Sequence, residues 1–173
     1  MKMLIIDTSQ KIGVVALKKE EFGIIKKEFD ASSQQKVLLP CIIELLAEAQ
    51  ISLKEIDEIR VCIGPGSFTG TRIGVMTAKT LAYANNTPLS HFNSLLPYYQ
   101  KGFLTILDAK NGECFCFDGV EIKKITYNEI QKLSFQLNSP ITDKIPLGVD
   151  QAVYNIQNII KYKYSLSCSI IYY

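Results

Sequence analysis

The stretch with the most chemical potential runs Cys62-Ile63-Gly64-Pro65-Gly66-Ser67-Phe68-Thr69-Gly70-Thr71-Arg72-Ile73-Gly74. An apolar run, Ile59 to Ile63, stops at glycines and a proline, and a helical pattern follows. A loop of this kind at a helix N-terminus can bind phosphate through backbone N–H groups. It can equally let a second backbone come close, because glycine has no Cβ. The spacing does not fit the common nucleotide motifs. Walker A needs Lys and then Ser or Thr after its last loop glycine; Gly70 is followed by Thr71 and Arg72. The dinucleotide fingerprint places its third glycine one residue earlier than here, and wants an acid about 20 residues on. No Asp or Glu occurs from Ile59 to Leu107.

A second candidate is Asp7-Thr8-Ser9, directly after Leu4-Ile5-Ile6. Asp7 could contact a metal or a phosphate, or close an Asx turn on its own backbone. A zinc site needs several ligands, and His91 is the only histidine. The five cysteines contain no C-x-x-C pair. Cys114 and Cys116 share one strand face and read as small core hydrophobes in a reducing compartment.

These residues must be positioned by something. Ile12–Leu17 and Phe22–Phe29 join the first strand in an antiparallel meander. A helix starts at Ser32 or Ser33 and runs to about Gln50, with Pro40 near its first turn. Its apolar residues Leu38, Leu39, Ile42, Ile43, Leu45 and Leu46 occupy more than the ~100° stripe of an ordinary surface helix. Ser52 and Glu55 make a capping box. The strand Ile59–Ile63 follows, then the glycine loop, then a helix from Thr71 to Asn85 that Ser67, Thr69 or Thr71 could cap. Gly74, Ala78 and Ala82 recur along one of its faces, so another backbone can approach closely, in this chain or in a partner.

Further on, Pro88–Phe92 reads as a strand, and Asn93-Ser94 as the cap of a brief helix to Gln100. Phe103–Leu107 and Cys114–Phe117 form a hairpin around Asn111-Gly112, and Val120–Tyr127 adds a strand. Asn128–Leu133 and Gln151–Tyr162 read as helices, Ile145–Val149 as a strand, and Tyr164–Tyr173 as a terminal strand or tail. No internal repeat is visible. Helix, strand, loop, helix is α/β organisation.

The loop Gly64-Pro65-Gly66-Ser67-Phe68-Thr69-Gly70-x-Arg72-Ile73-Gly74, followed by Ala78-x-x-Leu81-Ala82, resembles the signature of the bacterial TsaB (YeaZ) proteins. The strand ending in Asp7-Thr8-Ser9 resembles the opening of the actin/Hsp70/sugar-kinase fold. The resemblance implies a ribonuclease H-like mixed sheet flanked by helices over residues 1–100, and a shortened lobe of the same type over 101–173. It also implies a non-catalytic subunit for threonylcarbamoyladenosine modification of tRNA. That subunit would bind and activate a TsaD-like partner as a heterodimer, working with a TsaE-like ATPase and touching tRNA only indirectly. Alone it could form a homodimer. The isolated chain would need no cofactor; ATP or ADP with Mg would enter only at the partner complex.

The partner surface is then expected at Leu38, Leu39, Ile42, Ile43, Leu46, Gly74, Ala78, Leu81 and Ala82. A bulky charge at Ala78 would abolish binding and spare the fold. Asp7, Thr8, Ser9, Gly64, Gly66, Ser67, Thr69, Gly70 and Arg72 would form a structural, nucleotide-proximal loop. Two features depart from the family pattern. Gln34-Gln35-Lys36-Val37 stands where a His-Ser-Gln-Arg-like stretch is usual, and Lys110 replaces an Arg.

The remaining composition fits. Length is 173 residues, 47% of them hydrophobic, with a net charge of +2, which argues against a stand-alone RNA binder. Lys18-Lys19, Lys26-Lys27 and Lys123-Lys124 have acids nearby. No run reaches the ~20 apolar residues of a membrane span, and the start lacks signal-peptide features, so a cytoplasmic protein is expected. The alternative function is a small ATP-dependent phosphotransferase with Asp7 on Mg.

Overall fold

The structure, a computed structural model, describes residues 1–19, 23–99, 101–137 and 141–143. Ile145–Val149, Gln151–Tyr162 and Tyr164–Tyr173 lie outside the described residues. The chain divides into two units, with the break between Ser94 and Leu95, against a boundary expected after residue 100.

In the first unit, β1 (Met3–Asp7), β2 (Ile12–Lys19) and β3 (Gly23–Asp30) form the expected antiparallel meander. Strand β4 (Glu58–Cys62) pairs parallel with β1, and β5 (Leu89–Phe92) parallel with β4. The order across the sheet is β3-β2-β1-β4-β5. Helix α1 (Gln34–Glu48) links β3 to β4, and α2 (Phe68–Asn85) links β4 to β5. Alternation along the strands sends Leu4, Ile6, Val15, Leu17, Ile59 and Val61 to one face, where Leu38, Ile42 and Leu45 of α1 and Val75, Ala78 and Ala82 of α2 join them in one core.

Local chemistry explains the ends of these helices. Ser67 caps α2 by accepting from the Gly70 N–H at 3.1 Å. Asn86 ends it in the left-handed conformation, φ 52°. Between α1 and β4, the Ser52 N–H donates to Glu55 Oε2 at 2.9 Å, as the capping box requires. Helix α1 begins after a single 3₁₀ turn at Ala31–Ser33, so Pro40 lies inside it and not in its first turn. Pro40 is exposed there, where water can serve the carbonyl that lost its partner.

The second unit has β6 (Leu104–Lys110), β7 (Glu113–Phe117), β8 (Ile122–Thr126), α3 (Tyr127–Leu137) and β9 (Ile141–Asp143). Its sheet runs β8-β7-β6-β9, with β9 parallel to β6. Meander, helix and parallel strand repeat the path of β1 to β4. The structure therefore contains an internal repeat that the sequence does not show. The β6–β7 turn carries positive φ at Lys110, Asn111 and Gly112, as the Asn-Gly signal requires. Cys114 and Cys116 are buried with Leu104, Ile106 and Ile130. Burial pushes the Cys116 thiol up to about 11 and raises Cys114 as well. No brief helix opens at Asn93-Ser94; a 3₁₀ turn spans Leu96–Tyr98.

Candidate functional site

The glycine loop closes on the turn after β1, and its glycines are explained by that contact. A Cβ on Gly66 would lie 2.2 Å from the Ser9 carbonyl oxygen. On Gly70 it would lie 2.1 Å from that of Thr8, and on Gly74 2.2 Å from Thr8 Oγ1. Each distance is below any real carbon–oxygen contact. Hydrogen bonds lock the two segments together. The Thr8 hydroxyl donates to the Gly70 carbonyl at 2.7 Å, and the Ser67 N–H donates to the Ser9 carbonyl at 2.7 Å. From the other side, Ser94 donates its N–H to the Gly64 carbonyl at 2.8 Å and its hydroxyl to that of Pro65. Ser94 is fully buried. It is a loop clamp, which sequence reasoning missed because Asn-Ser looks like a helix cap.

Asp7 takes the Asx-turn role. Its Oδ1 accepts from the Ser9 N–H at 2.9 Å and the Ser9 hydroxyl at 2.7 Å. Thr8 and Ser9 are both buried. The backbone of this turn fills the space that the glycines leave open. Thr69 and Arg72 are exposed at the start of α2, and the Arg72 guanidinium lies 3.8 Å from the Phe68 ring centroid, a cation–π contact. Among the described residues, no group of three or more His, Cys, Asp or Glu side chains could hold a metal ion.

The expected partner surface needs correction. Leu38, Ile42, Leu46, Gly74, Ala78 and Ala82 are buried, and Leu81 is half-buried. The small-residue row of α2 lets that helix sit down on its own strand β1: the space beyond Gly74 belongs to Thr8 and Ile6. A charge at Ala78 would therefore enter the core. Of the expected set, Leu39 (47% exposed) and Ile43 (59%) do face outward. They lie four residues apart on one side of α1. Helix α2 adds Phe68, Met76 (61%) and Tyr83 (79%) to the exposed apolar residues. Nothing in the periodicity separated these from the inward set, because α1 is apolar on both sides.

The Lys26-Lys27 and Lys123-Lys124 pairs are engaged by acids. Lys27 Nζ lies 3.5 Å from Glu44 and 3.4 Å from Glu48, which raises its pKa chiefly through the Glu48 bond. Lys26 pairs with Glu28, Lys123 with Glu121 and Lys124 with Glu113. Among the described residues no helix is long and apolar enough to cross a membrane.

A five-stranded 3-2-1-4-5 sheet, helices that link its parallel strands, and a partial repeat of the same path define the actin/Hsp70/sugar-kinase, ribonuclease H-like class. The profile of one family, described as "TsaD: tRNA N6-adenosine threonylcarbamoyltransferase", matches residues 15–165. The chain belongs to that family. Its relatives include the tRNA threonylcarbamoyladenosine biosynthesis protein TsaB of Bacillus subtilis, 33% identical over 66% of this chain and 53% of that protein. TsaB of Haemophilus influenzae is 28% identical over 91% of this chain and 69% of its own length. The solved structure of YeaZ from Pseudomonas aeruginosa superposes with a TM-score of 0.60 at 27% identity, covering 72% of this chain and 63% of that one. The resemblance read in the glycine loop is thus shown by sequence and by structure. The chain spans between about half and two thirds of the length of these relatives.

Proposed function

We propose that this chain works in tRNA threonylcarbamoyladenosine biosynthesis as a subunit without a catalytic centre of its own, and that it binds and activates a TsaD-type subunit. The observation that carries the reading is the exposed apolar set on α1 and α2: Leu39, Ile43, Met76 and Tyr83. Large apolar side chains exposed on both of these helices fit an interaction surface. Both helices contribute to the core beneath them, so the surface is rigid before a partner arrives. Relatives named TsaB and the match to the TsaD family support a TsaD-type partner for that surface.

The glycine loop has a structural role in this reading. It holds α2 against β1 and so sets where Met76 and Tyr83 stand. Asp7, Thr8, Ser9, Gly64, Gly66, Ser67 and Gly70 act through that geometry. ATP or ADP with Mg, and the TsaE-type ATPase, act at the assembled complex. The test is threonylcarbamoyl transfer to tRNA by a TsaD-type and a TsaE-type protein of the same organism, with this chain added or omitted. Transfer should require the chain. Equal transfer without it would reject the activating role.

A further inference from the structure

Helix α2 carries a second pattern beside its apolar one. Phe68, Arg72, Met76, Lys79 and Tyr83 follow one another at steps of four, four, three and four residues. At about 3.6 residues per turn they fall within an arc of about 80°. Phe68, Met76 and Tyr83 are 54%, 61% and 79% exposed, Arg72 is exposed and Lys79 is half-buried. The outward stripe of α2 therefore alternates apolar and cationic side chains. No carboxylate belongs to it, since Asp and Glu are absent from 59–107. They are absent from 31–43 too, the stretch of α1 with the outward Leu39 and Ile43.

The acids of α1, Glu44 and Glu48, come after that stretch and engage Lys27 of β3 at 3.5 and 3.4 Å. The first turns of α1 and α2 are packed together: the buried Gln34 amide lies 2.9 Å from where a Gly70 Cβ would stand. Within the stripe, Arg72 is held by its neighbour. Its guanidinium sits over the Phe68 ring, 3.8 Å from the centroid. That contact limits the side chain before a partner arrives, so less entropy is lost when its planar N–H fork binds a carboxylate.

Resting on the reading that this face docks a TsaD-type subunit, we propose that Arg72 is its specificity determinant. The guanidinium held on Phe68 takes an Asp or Glu carboxylate of the partner, whose matching surface sets acids among apolar side chains. The fork fits a carboxylate with two parallel bonds, while Met76 and Tyr83 cover the apolar neighbours. A second copy of this chain is the wrong partner. Two α2 stripes that meet about a two-fold axis bring cations to cations, with no carboxylate on either stripe.

The test is calorimetric titration of the whole chain with the TsaD-type protein of the same organism, with circular dichroism to confirm folding. Arg72→Gln should weaken binding at least about tenfold. Arg72→Lys keeps the charge but not the fork, and should stay at least about threefold weaker than the parent. Raising NaCl from about 50 mM to about 500 mM should weaken the parent more than Arg72→Gln. Lys132→Gln, the same loss of charge at an exposed position of α3, should bind as the parent does. If Arg72→Gln binds as tightly as the parent, or Arg72→Lys restores binding in full, the proposal is overturned and the docking reading stands. Equal losses in Arg72→Gln and Lys132→Gln would reduce the effect to net charge and overturn it as well. So would a dimer of this chain alone at low salt that Met76→Glu breaks. No complex with the parent chain at either salt would overturn the docking reading, and this proposal with it.

Discussion

Thr8 and Gly70 are joined twice: the Thr8 hydroxyl donates to the Gly70 carbonyl at 2.7 Å, and the Thr8 carbonyl occupies the place of a Gly70 side chain. This pair fixes the start of α2 to the end of β1, and so the face that α2 shows to solvent. Gly70→Ala puts its new carbon 2.1 Å from the Thr8 oxygen, and should destabilise the first unit by about 1–3 kcal/mol. Thr8→Val leaves the Gly70 carbonyl without its donor and should cost about 1–3 kcal/mol. The double variant should lose less than the sum, since both changes break one contact. Urea unfolding of the four proteins measures this; strict additivity would show that the two residues act separately.

Ala78 and Met76 stand two residues apart on α2 with opposite exposures, 0% and 61%. Ala78→Glu should prevent folding, because it places an unpaired carboxylate among Val75, Ala82 and the sheet. Met76→Glu should stay within about 0.5 kcal/mol of the parent and still lose the TsaD-type partner. Circular dichroism and a pull-down on both variants check the pair. A folded Ala78→Glu protein would put that face of α2 on the surface.

Glu55 links stability to pH. A bond from the Lys2 ammonium at 2.7 Å, and then the Ser52 N–H, hold its carboxyl down at about 2, against an ordinary 4.5. The folded state therefore binds the proton less readily than the unfolded chain. The stabilisation is present above pH 4.5 and is lost as pH falls from there towards 2. Glu55→Gln should flatten the acid limb of a stability-versus-pH curve in that window and lower stability by a constant amount above it. The pair is exposed, so high salt should shrink the difference. An unchanged acid limb would show that the Lys2–Glu55 bond does not persist in solution.

Much of this was legible in the residues. The meander, the strand before the glycine loop, the Ser67 cap and the hairpin at Asn111-Gly112 all rest on local signals, and all are found. Facing was not legible. Leu38 and Leu39 are neighbours of one chemistry, and only the sheet decides that the first is buried and the second is not. Gly74 and Ala78 announce a close approach without naming what approaches; the answer, β1, is far away in sequence. Ser94 was hidden for the same reason, since its partners Gly64 and Pro65 arrive through the fold. The repeat of β1–β4 in β6–β9 is a property of path, not of residue identity. Gln34 carries no sequence signal, because its burial depends on Gly70 across the loop.

The most direct measurement of the central claim is size-exclusion chromatography with light scattering, on this chain mixed with the TsaD-type protein of the same organism. The account predicts a one-to-one complex that forms with the parent chain and is lost with Ile43→Asp and with Met76→Glu, both variants remaining folded. A complex that survives both substitutions would contradict the docking face on α1 and α2. No complex with the parent chain would contradict the assignment of the partner.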